Sequence, residues 1–212
     1  MWELHKDIGT RDMENNCRVK WKLGDDKMKL ICVYGAVNNK IDDSFKNIGF
    51  ELGKMIAKKN YGLVYSGMKD GISGAVAKGV DEVSNMPIIG VMPEFFKEKK
   101  KDEIFEGCTE KIFAKSISER KEIMKQKADA IIVAPGGVGT FDELFDAICT
   151  KRWGLMDKPI VIYNINNYYK KMIEMLDYAI ETNFGRENYR DTYKIFDNPD
   201  EMFNYIEKYK QA

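Results

Sequence analysis

Residues 135–143 read Pro-Gly-Gly-Val-Gly-Thr-Phe-Asp-Glu, and their types and spacing suit the binding of an anion beside a carboxylate. They follow Ala130-Ile131-Ile132-Val133-Ala134, an apolar run that reads as a buried strand ending at Pro135. A strand that breaks on Gly136, Gly137 and Gly139 and then enters a helix leaves unpaired N–H groups at the helix start. With the helix dipole behind them, those groups form a seat for a phosphate. Thr140 adds a hydroxyl, and Glu143, expected within the first helical turn, could face whatever the seat holds. The plainer alternative is that Glu143 only complements the helix dipole.

A second cluster lies upstream at Ser118-Glu119-Arg120-Lys121-Glu122-Ile123-Met124. Arg120 offers a planar, permanently charged fork suited to a phosphate or a carboxylate. Taken alone it would be a solvated helix charge. Its helix, however, leads into the strand that ends at Pro135, so its N-terminal end could overhang the same seat.

The elements that must position these groups alternate from residue 29 onward. Apolar strands are expected at Leu30–Tyr34, Leu63–Tyr65, Ile88–Val91, Lys111–Ala114, Ala130–Ala134 and Pro159–Tyr163. Helices are expected at Ser44–Lys59, Ile72–Val83, Ser116–Lys127, Phe141 to about Trp153, Tyr168 to Thr182, and after Asn198 with Pro199 in the first turn. Gly74, Ala75, Ala77 and Gly79 would let the second helix pack closely on a sheet. Lys97–Glu103 is a mixed charge run, read as solvated.

This alternation predicts an α/β fold, a doubly wound, Rossmann-like parallel sheet with helices on both faces. Ligands of such sheets lie beyond the carboxyl ends of the strands, where strand order reverses. Gly35, Ser66-Gly67 and Gly136-Gly137 all fall at strand ends, so one crevice could collect them. The dinucleotide fingerprint is missing, because the first turn, Gly35-Ala36-Val37-Asn38-Asn39, holds one glycine. That weakens a reading as an NAD-dependent oxidoreductase.

At 212 residues the chain fits one domain, expected over residues 29–212 and preceded by an arm over residues 1–28 that carries Trp2 and Trp21. Lys+Arg and Asp+Glu both number 34, so no global field draws it to a nucleic acid polymer or an anionic membrane. No window nears the roughly 18 apolar residues that a membrane helix requires, and the N-terminus has no apolar signal core. The four cysteines form no CxxC pair and read as reduced thiols in a cytoplasmic protein. The single histidine, His5, excludes a His-rich metal site and lies far in sequence from the glycine turns. Carboxylates, Arg, Lys, Tyr and backbone N–H groups remain as catalysts, with no metal or cofactor required.

On these residues the chain resembles the Lonely Guy family, the cytokinin riboside 5′-monophosphate phosphoribohydrolases formerly labelled lysine decarboxylases. The likeness rests on Arg120-Lys121 with Met124, and on Pro135 through Glu143. It continues through Gly62–Tyr65, Gly71–Gly74, Gly90–Pro93, Asp157–Pro159 and Asn167-Tyr168-Tyr169. The resemblance implies a Rossmann-like homodimer that cleaves a nucleoside 5′-monophosphate to free base and ribose 5-phosphate. It also implies Arg120 and Glu143 as the catalytic pair, with Gly35, Ser66, Gly67, Lys121, Met124, Gly136, Gly137, Gly139 and Thr140 binding substrate. Phe141, Phe145 and Trp153 are candidates for the dimer contact. The departures fall elsewhere: the family's Tyr-Gly-Gly-Gly turn is Tyr65-Ser66-Gly67-Met68, its histidine before the arginine is Ser118, and its Thr-Trp pair is Cys149-Thr150. These place the changes on the base side of the pocket. The rival reading is a non-catalytic carrier of a phosphate-bearing ligand such as molybdenum cofactor, which needs the seat but not the Arg–Glu pair.

Overall fold

The computed structural model describes residues 28–83 and 85–209. The expected arm over residues 1–28, with His5, Trp2, Trp21 and Cys17, lies outside the described residues but for Met28. In chain order the elements are β1 (Leu30–Tyr34), α1 (Asp43–Lys58), β2 (Gly62–Tyr65), α2 (Gly71–Val83), β3 (Ile88–Pro93), α3 (Phe96–Lys99), β4 (Glu110–Ala114), α4 (Ile117–Lys127), β5 (Ala130–Val133), α5 (Val138–Arg152), β6 (Ile160–Tyr163), α6 (Lys170–Glu181), β7 (Lys194–Phe196) and α7 (Pro199–Lys208). No helix among the described residues is long and apolar enough to cross a membrane.

The strands form one seven-stranded, all-parallel sheet in the order β4-β3-β2-β1-β5-β6-β7. Sequence order runs one way from β1 and the other way from β5, so the reversal lies between these two strands. They pair in register, with Tyr34 opposite Val133. Beyond that pair, Ala134 N–H donates to Tyr34 O at 2.8 Å and Ala36 N–H to Pro135 O at 3.0 Å. The turns after β1 and β5 are thereby locked side by side at the mouth of the crevice.

Each central strand is buried on both faces, which is why its sequence is an unbroken apolar run. Ile31, Val33 and Ile132 face a core built with Leu52 and Ile56 of α1, Val76 and Val80 of α2, and Met202 and Phe203 of α7. Cys32, Tyr34, Ile131 and Val133 face the opposite core, with Met124 of α4, Leu144 and Ile148 of α5, and Tyr169 ahead of α6. Full burial of one such Leu or Ile is worth about 1.5–3 kcal/mol, so the apolar faces, more than helix propensity, hold the helices in place. Ser116 caps α4 through Glu119 N–H at 3.0 Å, and Asn198 caps α7 ahead of Pro199.

Several boundaries differ from the sequence expectation. The helix expected from Phe141 begins at Val138, with Gly137 as N-cap, so Glu143 sits in its second turn and the first turn holds no acid. A helix-start role for Glu143 is therefore ruled out. The charge run at Lys97–Glu103 is split between α3 and a 3₁₀ turn at Lys101–Glu103. The edge strand β7 has no apolar run to announce it. Gly79, expected to ease packing on the sheet, instead meets α1: a Cβ there would lie 2.0 Å from Phe50 O.

Candidate active site

The crevice at the strand-order reversal is a cavity of about 420 Å³, within the range of small-molecule sites. Its walls come from the turn after β1 (Gly35–Asn38), the turn after β2 (Ser66 and Met68), the start of α4 (Ile117 and Arg120) and the start of α5 (Gly137, Gly139, Thr140, Glu143). Pro93, Phe96, Lys100 and Glu103 close the remaining side.

The start of α5 presents main-chain N–H groups to the cavity. Its first main-chain bond runs from Phe141 N–H to Gly137 O at 3.0 Å, so the N–H groups before it have no partner within the helix. The glycines of this turn divide into two kinds. A Cβ at Gly136 would collide with the Thr140 side chain, 2.1 Å from its hydroxyl oxygen, so packing alone requires glycine there. A Cβ at Gly137 or Gly139 would meet nothing within 4 Å, and Gly137 has an ordinary negative φ of −93°. Neither packing nor backbone conformation asks for glycine at these two positions. Their bare backbone opens onto the cavity, where a ligand could approach it closely.

Two tyrosines hold the loop from behind. Tyr169 donates to Ala134 O at 2.7 Å and Tyr168 to Gly136 O at 2.8 Å, and their rings meet edge to face. The sequence marked these residues only through the Asn167-Tyr168-Tyr169 likeness, and their supporting role emerges from the fold.

Arg120 reaches across the carboxyl end of the sheet. Its Nε donates to Val91 O at 2.8 Å and one terminal nitrogen donates to Glu143 Oε1 at 2.6 Å. Both side chains are nearly buried, at 12% and 10% exposure, so water screens the pair little. Burial raises the Glu143 pKa above the ordinary glutamate range, and the Arg120 charge and hydrogen bond oppose that rise. Its Oε2 accepts no hydrogen bond from the described residues and remains open to water or a ligand hydroxyl. Beneath the pair, burial drives the Tyr34 phenol and the Cys32 thiol to higher pKa, so both stay protonated.

The structure brings most of the expected residues together. Gly35, Ser66, Gly137, Gly139, Thr140, Arg120 and Glu143 line one cavity. Ser66 is fixed by a 2.8 Å bond to the Ser73 hydroxyl. Four expected binding residues do not line it. Lys121 bonds Asp142 at 2.8 Å and lies 3.6 Å from Asp146, tying α4 to α5. Met124 is buried in the core at 1% exposure. Gly67, at φ +77°, packs against Met92, and Gly136 lies under Thr140. Of the base-side departures, Met68 lines the cavity, whereas Cys149 is exposed outside it. Phe96, together with Lys100 and Glu103 of the charge run, is a wall residue that sequence reasoning missed.

Comparison with known proteins places this geometry in context. The family model described as "Possible lysine decarboxylase" matches residues 73–206. A cytokinin riboside 5′-monophosphate phosphoribohydrolase of Arabidopsis thaliana is 32% identical over 160 residues, covering 74% of this chain and 73% of the relative. A probable enzyme of the same description from Oryza sativa subsp. japonica is 29% identical over 184 residues, covering 86% of this chain and 74% of the relative. Among solved structures, the molybdenum cofactor binding protein of Rippkaea orientalis is similar with a TM-score of 0.64 at 18% identity, covering 85% of this chain and 96% of that one. The Chlamydomonas Moco carrier protein has a TM-score of 0.63 at 20% identity, covering 86% and 98%. At these identities the structural likenesses speak to the fold alone.

Proposed function

The chain belongs to the possible lysine decarboxylase family, which includes the cytokinin riboside 5′-monophosphate phosphoribohydrolases, and on that premise we propose that it hydrolyses the N-glycosidic bond of a nucleoside 5′-monophosphate. The observation that carries the reading is the buried Arg120–Glu143 pair beside the open backbone of Gly137 and Gly139. A seat for phosphate alone would serve a carrier. A carboxylate fixed in a low-dielectric site, with one oxygen uncommitted, suits the stabilisation of positive charge.

In this reading the 5′-phosphate rests on the N–H groups at the start of α5, and the base lies against the wall of Met68, Pro93, Phe96 and Ile117. The C1′–N bond breaks with its electron pair departing on the base nitrogen. Positive charge grows on the ribose, and Glu143 faces it. Water adds at C1′, and the proton it loses passes to the leaving base by way of solvent or Glu143. Arg120 holds the carboxylate ionised and oriented, and its anchor on Val91 O holds Arg120. The chain acts as a homodimer, joined through the exposed Phe145 and Trp153 of the α5 region.

The test is incubation with AMP and a panel of other 5′-monophosphates, with free base and ribose 5-phosphate measured as products. Equimolar release of both supports the reading. Tight binding without release would favour the carrier reading instead.

A further inference from the structure

A second cavity, of about 820 Å³, lies behind the wall formed by Met68 and Ile104. In a regular doubly wound sheet the β3–β4 crossover places a helix on the face that α1 and α2 cover. Here that crossover holds only the four-residue α3 and a 3₁₀ turn, so the outer part of this face stays open. Its lining is basic: Lys69, Lys78, Lys97, Lys101 and Lys111 converge there, against Asp102 and Glu106. This concentration arises in a chain whose net charge is zero. Lys97 is engaged with Glu94 at 3.1 Å. Among the described residues, Lys69, Lys78, Lys101 and Lys111 have no ion-pair partner. Ile104, Phe105 and Phe113 provide an apolar floor.

The groove is separate from the catalytic cavity but shares a wall with it. Met68 and Ile104 form an antiparallel bridge, Lys69 N–H donates to Glu103 O at 2.9 Å, and Phe105 N–H donates to Gly67 O at 2.9 Å. Lys100 and Glu103 of this strap face the catalytic cavity, while Lys101 and Phe105 face the groove.

We propose that the groove is a second ligand site, which takes the polyphosphate chain of a nucleoside triphosphate on its lysines and the base against Phe105 and Phe113. Several uncommitted ammonium groups around one space repel one another, and a chain of phosphates relieves that repulsion. A monophosphate, which fits the seat at α5, would satisfy few of them. The apolar floor gives a nucleotide an advantage over a bare polyphosphate.

The test is titration of the full chain with ATP and with tripolyphosphate at low salt, followed by calorimetry. ATP is expected to bind one site per chain, more tightly than tripolyphosphate, and to weaken as salt screens the lysines. The double variant Lys78→Glu/Lys111→Glu changes two exposed side chains and is expected to fold, to release base from AMP as the parent does, and to bind ATP at least tenfold more weakly. A Gly139→Asp variant, in which a side chain fills the seat at α5, is expected to bind ATP unchanged. Unaltered ATP affinity in the double variant, or loss of ATP binding in Gly139→Asp, overturns the proposal. Equal affinity for ATP and tripolyphosphate overturns the nucleotide assignment.

Discussion

Arg120 and Glu143 sit on different helices, yet share a 2.6 Å hydrogen bond at the carboxyl end of the sheet, where each is almost fully covered. The pair spans the strand-order reversal, and Arg120 is itself moored to Val91 O. Glu143→Gln keeps the shape and still accepts from Arg120 but cannot carry negative charge. Base release from AMP should therefore vanish, while AMP affinity stays within about tenfold, or ~1.4 kcal/mol. Paired turnover and equilibrium binding measurements check this, and near-parental turnover would remove Glu143 from the mechanism.

The pH dependence follows from the environment of Glu143. Burial disfavours its charged form and raises its pKa, with Arg120 pulling the other way. Since the proposed mechanism uses the ionised form, activity should fall on acidification at a pH above that of an ordinary glutamate. In Arg120→Ala the opposing pull is gone, so the pKa should climb further. A raised folded-state pKa contributes stability at low pH that is lost as pH rises through it. The Arg120→Ala penalty, up to about 3–5 kcal/mol for a broken buried pair, should thus be largest at neutral pH and shrink on acidification. Urea unfolding at two pH values, together with infrared titration of the Glu143 carboxyl, reads both effects. A penalty independent of pH would count against the assignment.

How far the sequence carried can be judged at this same site. Strands β1, β2, β5 and β6 were legible because parallel strands covered on both faces must be apolar throughout, and glycine breaks marked the carboxyl ends of the first three. β7 was not, since a three-residue edge strand reading Lys194-Ile195-Phe196 has no periodicity to detect. The true start of α5 was hidden because Gly139 depresses helix propensity at a turn whose purpose is an exposed backbone. Lys100 and Glu103 looked like solvated charge. Their place in the wall is set by the Met68–Ile104 bridge, a long-range pairing that no local pattern encodes.

Gly139 separates stability from function. An added side chain meets open space there, and an acid in the first turn of α5 complements the helix dipole by about 0.3–1 kcal/mol. Gly139→Asp should be at least as stable as the parent in thermal unfolding. It should nevertheless lose base release from AMP, because the new carboxylate occupies the phosphate seat. A stable and fully active variant would show that phosphate binds elsewhere.

In the proposed homodimer the α5 region is the contact for the second copy. Phe145, Trp153 and Leu155 are exposed apolar side chains at or just beyond this helix, whereas Phe141, also expected at the contact, packs edge to face on Tyr169. Light scattering should give twice the chain mass at micromolar concentration. Trp153→Lys, at a side chain 71% exposed, should shift the population toward the single chain while leaving the circular dichroism of the fold unchanged, with any drop in unfolding temperature reflecting the lost partner. A single-chain mass for the parent would refute the dimer.

In the proposed reading, substrate preference is set by the wall opposite the phosphate seat. Met68 is 5% exposed and its backbone is bridged to Ile104, so its side chain has little free space to move into for a large base substituent. AMP should be cleaved at least as well as isopentenyl-AMP, and Met68→Gly should favour the prenylated nucleotide by opening that wall. Adenosine should react poorly, because the 5′-phosphate supplies binding energy that serves the transition state as well as affinity. Base release from the three substrates tests both halves: efficient adenosine cleavage would sink the phosphate seat, and a strong parental preference for isopentenyl-AMP would sink the role given to Met68.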